Sequence, residues 1–286
     1  MHSTNHCESA ARRARAVARG RPLAVLLGAL VLAVGGGGGG SVGAADGVPR
    51  MPDGHPDLSG TWDNGSGIEF VQPQKRGESV CVVGCGPTGA AALAGAATAA
   101  PAGRPIYKRE FQAKVADLSA RQVQTDPVLR CFSPGVPRIG PPDKIVQRAN
   151  EVLFLYDDVS GNFFRIVPTD GRPHRKDVSD AYLGDAIGHW EGDALVVETI
   201  GFNDETWLTD DGAFHTTDLR VVEKLKRTAD TLEWNATAYD PKVLTEPWTL
   251  KPRIARLTDQ EIAEAAPCIE RDLDHIVDGS HHTNPR

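Results

Sequence analysis

The chain has 286 residues, 31 Lys and Arg against 38 Asp and Glu for a net charge of −7, with 40% hydrophobic and 6% aromatic residues. That is enough apolar material for one sizeable core or two small ones, and too little for a chain of membrane spans. The acidic balance argues against a general nucleic-acid binder, whose affinity rests on Lys and Arg neutralising phosphates.

Arg12, Arg13, Arg15, Arg19 and Arg21 precede an apolar run over 22–34, a glycine tract and the small residues Val42-Gly43-Ala44-Ala45. A basic head, a short apolar stretch and a small-residue site together predict a secretory signal peptide and a periplasmic or secreted protein. The apolar run falls short of the ~20 residues a helix needs to span a bilayer, so no stable membrane insertion is expected after cleavage. Residues 1–44 hold five Arg and one acid, Glu8, so their removal takes the net charge from −7 to about −11. With Cys7 removed as well, four cysteines remain, and an even number in an exported chain suits disulfides. Of the three possible pairings, Cys131 with Cys268 and Cys81 with Cys85 is favoured. A C-x3-C followed by two isolated cysteines lacks the paired knuckles of a structural zinc site, so neither metal nor cofactor is expected.

The segment 45–74 is expected to carry the first barrel strand. Its Asp57-Leu58-Ser59-Gly60-Thr61-Trp62 resembles the Gly-x-Trp opening of lipocalin-type barrels, where the Trp plugs one end. Residues 75–106 turn into Gly, Ala and Pro and read as an insertion or linker. From there a main domain is predicted over 107–270. Tyr107, Phe111, Val115 and Leu118 recur at helical spacing and predict one short helix packed by an apolar stripe. Strands are expected at 144–149, 152–157, 162–167, 186–190, 194–202, 219–227, 231–239 and 248–257, separated mostly by short turns and by no long helix, which favours antiparallel neighbours. Thr258-x-x-Glu261 reads as a capping box opening a helix that ends at Pro267. Residues 271–286, with His281 and His282, read as a flexible tail. The predicted fold is therefore all-β: an antiparallel, lipocalin-like barrel or strongly curled sheet of about eight strands with short peripheral helices.

Strand parity singles out candidate functional residues, because alternate residues share a face. Leu219, Val221, Glu223 and Leu225 are expected to face inward. Glu198 shares a face with Val196, Ile200 and Phe202, and Arg165 with Phe163 and Val167. A buried charge needs a partner, so Glu223 or Glu198 is expected either to form a structural ion pair with Arg165 or to floor a polar pocket. Arg138, after Gly135-Val136-Pro137, can grip a carboxylate with its planar fork or cap loop carbonyls. Arg138, Arg165, His174, Trp190 and His215 are the candidate ligand contacts. There is no Gly-x-Ser-x-Gly elbow, no dinucleotide fingerprint and no His-Glu-x-x-His.

Two functions stay open on this reading. One is a small-molecule binder with a partly polar ligand in the barrel cavity. The other is a metal-independent lyase, hydratase or isomerase using Glu223 or Glu198 as base and His174, His189 or His215 as acid. A structural envelope module is a third possibility, marked by exposed apolar patches.

Between His55 and Cys268 a set of motifs forms a further pattern: Gly60-Thr61-Trp62, Gly135-Val136-Pro137-Arg138, Asp170-Gly171-Arg172-Pro173-His174, Tyr182-Leu183-Gly184-Asp185, Trp190-Glu191-Gly192-Asp193, and Asn203-Asp204-Glu205-Thr206-Trp207. It resembles a family of exported bacterial β-rich proteins, mostly without assigned activity. The resemblance implies export and a β-rich fold and hands over no reaction. Ala194 stands where that pattern usually has Thr, and the insertion around Cys81 and Cys85 departs from it.

Overall fold

The structure is a computed structural model that describes residues 47–65, 74–76, 79–81, 103–178, 180–265 and 267–268. The expected signal peptide, the tail and Cys85, hence the Cys81–Cys85 pairing, lie outside the described residues. The strands in chain order are β1 Gly60–Asp63, β2 Gln74–Arg76, β3 Ser79–Cys81, β4 Lys144–Gln147, β5 Glu151–Asp158, β6 Gly161–Pro168, β7 Asp185–Glu191, β8 Ala194–Ile200, β9 Arg220–Thr228, β10 Thr231–Tyr239, β11 Trp248–Thr249 and β12 Arg253–Thr258. Helix α1 spans Gln112–Ala120 and a single turn, α2, spans Gln122–Thr125. No helix among the described residues is long and apolar enough to cross a membrane.

Nine strands form one antiparallel path, β6-β5-β4-β1-β12-β10-β9-β8-β7, with β11 added beside β10. Eight antiparallel steps leave the two end strands, β6 and β7, running the same way. Two parallel strands cannot be joined by a hairpin, and the chain uses 169–184 to pass from one to the other. The ends lie side by side: a Cβ on Gly188 of β7 would come within 2.9 Å of Val167 Cγ1 on β6. No ladder joins β6 to β7 among the described residues, so the sheet is a nearly closed, barrel-like one.

Alternation builds the interior. Val152, Phe154 and Tyr156 of β5 are buried, as are Val221, Glu223 and Leu225 of β9 and Leu232, Trp234, Ala236 and Ala238 of β10. Trp62 on β1 is fully buried, its Nε1 donating to Leu58 O at 3.0 Å, with the Arg227 guanidinium 5.2 Å from its ring centroid. Phe111, Val115 and Leu118 pack against the core from outside. Cys131 and Cys268 form the expected disulfide, with Cα atoms 5.5 Å apart.

Four local expectations are corrected. Tyr107 is not helical; it bridges to Leu244 and its hydroxyl donates to Phe214 O. The strand expected over 248–257 is broken into β11 and β12 around Pro252, which has no N–H for a ladder. Among the described residues no helix follows Thr258, whose hydroxyl accepts the N–H of Gln260 at 3.2 Å, two residues on, as in a turn. Glu261 pairs with Lys144 of β4 and the Ala265 N–H donates to Asn162 Oδ1 at 2.6 Å, so 259–265 crosses toward the β5–β6 end as a strap. Finally, Glu198 faces outward. Its strand is apolar on both sides, and the inward set is Leu195, Val197 and Thr199.

Candidate functional site

The inward polar residues of the barrel bond chiefly to one another, with Arg165 Nε left buried and without a hydrogen-bond partner among the described residues. Arg165 Nη2 donates to Glu223 Oε2 at 2.6 Å and to Thr199 Oγ1 at 2.7 Å, and Nη1 donates to Tyr156 Oη at 3.1 Å. Trp234 Nε1 donates to the other oxygen of Glu223 at 3.1 Å. Burial works against the Arg165 charge, but Glu223 and Tyr156 more than offset it and hold the guanidinium pKa above its usual value. Burial also pushes the Tyr156 phenol upward, so it stays a neutral partner. These five side chains come from β5, β6, β8, β9 and β10 and are all buried. They fill the middle of the barrel as a structural cluster.

The outward residues form a second cluster on β7, β8 and β9. His174 Nδ1 lies 3.0 Å from Asp185 Oδ2 and its Nε2 lies 3.5 Å from Glu198 Oε1. Arg175 Nε donates to Asp185 Oδ1 at 2.8 Å, and Arg220 Nη1 donates to Glu198 Oε2 at 2.9 Å. Burial alone would raise the Asp185 carboxyl pKa, yet the bonds from Arg175 and His174 outweigh it and hold the group below the usual carboxylate range. Two of the motif runs thus meet here, through His174 and Asp185, beside Glu198 of β8.

The remaining candidates lie apart. Arg138 is spent on a bidentate bond to Asp126, 2.8 Å on each arm, and a bond from Nε to Asp210 at 2.7 Å, so its fork is closed to a ligand. The two acids outweigh burial and keep its pKa above the ordinary value. His215 is buried, with Nδ1 3.0 Å from Thr216 O and Nε2 2.6 Å from Thr206 Oγ1. A carbonyl can only accept, so the proton sits on Nδ1 and Nε2 receives the threonine hydroxyl. Trp190 stacks on His55, centroids 4.6 Å apart, where Arg50 also grips Asp193 at 2.6 and 3.0 Å. His189 is exposed, 3.5 Å from Glu191, which is exposed as well.

A concave surface of ligand size lies beside the outward cluster. A groove of about 760 Å³ runs along the barrel end where β8 stops at Ile200, β9 starts at Arg220 and β10 stops at Tyr239, with Leu244, Pro247 and Lys108 on its far side. The Arg220 guanidinium sits 4.0 Å from the Tyr239 ring centroid. Asp240 is buried beneath the groove and accepts the N–H of Thr216 at 2.6 Å and its hydroxyl at 3.0 Å.

The chain matches no family model, no curated protein and no solved structure. Among the described residues no group of three or more His, Cys, Asp or Glu is arranged to hold a metal ion.

Arg220 and Tyr239 were missed by the parity argument, which looked only for charges facing inward. A signal was present. The two-residue turn at Ala229-Asp230 sets Thr228 opposite Thr231, and counting back along both strands sets Arg220 opposite Tyr239.

Proposed function

We propose that the protein is an exported binder of a small, partly polar organic molecule, and that the ligand lies in the groove at the barrel end, outside the filled interior. The observation that carries this is the groove itself: a volume in the range of small-molecule sites, apolar surface from Ile200, Leu219, Leu244 and Pro247, and polar or charged groups such as Lys108, Arg220, Tyr239 and Glu246 interspersed with it. Export rests on the N-terminal pattern, and a mature chain starting near Ala45 in a periplasmic fraction would support it.

The test is mass-balanced profiling. The oxidised protein lacking residues 1–44 is incubated with a metabolite extract, separated from free solutes, then denatured, and every small molecule is quantified. A Thr217→Trp variant is run beside it. Thr217 is exposed on the groove lip, so the indole obstructs the groove without disturbing a buried contact. A compound recovered intact from the wild type and absent from the variant supports the reading. Equal recovery from both places the ligand elsewhere.

A second reading draws on His174, oriented by Asp185 and facing Glu198, which is the arrangement of a general acid–base pair. A new mass made in molar excess over the protein, and lost in Glu198→Gln, would favour it over binding.

A further inference from the structure

Resting on the groove reading, we infer the class of ligand and the contact it replaces: a small organic monocarboxylate with an apolar body, held by Arg220, which gives up Glu198 to take it. Arg220 is outward-facing at the start of β9 and lies against the Tyr239 ring, which fixes the direction of its fork. Only Nη1 is engaged, by Glu198 at 2.9 Å; Nε and Nη2 donate to no protein acceptor among the described residues. A guanidinium with two donors unspent at the edge of an apolar groove is built for a carboxylate, which it binds through two parallel bonds.

The other charges of the groove are largely committed. Asp218 is paired with Lys242 at 2.9 Å, Asp240 is held by Thr216, and Lys108 Nζ donates to Pro241 O at 2.6 Å. Glu246 stands exposed on the lip. The apolar walls from Ile200, Leu244 and Pro247 supply the surface for the ligand body.

Displacing Glu198 costs little. The Glu198 and Arg220 side chains are 37% and 39% exposed, so their ion pair is weak in water. The Glu198 carboxylate that Arg220 leaves behind is open to water, and His174 Nε2, 3.5 Å from its other oxygen, makes no hydrogen bond that the exchange would have to break. Glu198 is thus an internal competitor for the anion site.

Benzoate and its uncharged analogue benzamide test this by calorimetry, with NMR reporting the groove residues. Benzoate is expected to shift the signals of Ile200, Tyr239 and Leu244, and benzamide to bind about tenfold more weakly or less. Arg220→Gln should erase the preference. Glu198→Gln should tighten benzoate by roughly two- to fivefold, a gain that no folding defect can imitate. Benzamide binding as well as benzoate, or a Glu198→Gln variant with unchanged or weaker benzoate affinity, would overturn the carboxylate inference and leave the groove intact as a binding site. If neither probe at millimolar concentration moves the groove signals, the groove reading fails and the inference falls with it.

Discussion

Arg165 Nη2 and Glu223 Oε2 meet at 2.6 Å in the middle of the barrel, on strands that are not neighbours in the sheet. The bond crosses the interior behind β7 and β8 and ties β6, at the open seam, to β9 on the other side of that seam. A buried ion pair of this kind contributes less than its Coulomb energy suggests, because both ions leave water, but removing one partner strands the other.

Glu223→Gln should therefore destabilise the protein by about 3–5 kcal/mol, since Arg165 remains cationic with no counterion. Replacing both residues by apolar ones, Arg165→Met with Glu223→Leu, should recover much of that loss. Urea unfolding of the single and double variants measures both effects. A single variant within about 1 kcal/mol of wild type would show that the pair does not hold the wall together.

His215 gives a signed pH dependence. Burial lowers its pKa below the usual 6.5, against the opposing effects of the Thr216 carbonyl and of Asp240 and Asp204. The unfolded chain then binds more protons than the folded one once the pH drops below the ordinary histidine value, so stability falls as the pH is lowered through that range. Thermal unfolding between pH 7.5 and 5 should show this fall, and His215→Gln should flatten it. An unchanged slope in the variant would assign the acid sensitivity to other groups.

Gly135 should tolerate no side chain. Its φ is +77°, and a Cβ would lie 2.4 Å from Thr206 Oγ1, the hydroxyl that bonds His215. Strain at positive φ and overpacking together predict a loss of about 2–4 kcal/mol for Gly135→Ala. Denaturant titration checks it, and a loss below about 1 kcal/mol would mean that Thr206 yields freely.

The Cys131–Cys268 bond closes a long loop, 137 residues apart in sequence, and fastens the chain just beyond the strap over 259–265. Its loss should cost about 2–5 kcal/mol, chiefly by freeing the unfolded chain. Comparing the melting temperature with and without reductant, and in Cys268→Ser, tests this. A reductant effect that persists in Cys268→Ser would point to a different bond.

Where a strand alternates cleanly, its buried face could be read locally. In β9 Leu219, Val221 and Leu225 mark one face as apolar and Arg220, Lys224 and Lys226 mark the other as charged, which places Glu223 inward by its position, and strand spacing with short turns points to the antiparallel, barrel-like architecture. In β8 the run Ala194-Leu195-Val196-Val197 is apolar on both faces, period two carries no sign, and Glu198 was assigned to the wrong side. The capping box at Thr258 failed for a related reason: a local motif says what a helix start needs, while Lys144 and Asn162 on other strands claimed that segment for the strap.

Sequence alone determined which residues alternate, where turns break them and which cysteines were available to pair. The tertiary structure decided which alternating face meets the core, which acid finds Arg165, and that Ile200, Arg220, Tyr239, Leu244 and Lys108 share one groove. The first set depends on neighbours along the chain. The second depends on strand order and sheet curvature, which are settled only when the whole wall buries its apolar face at once.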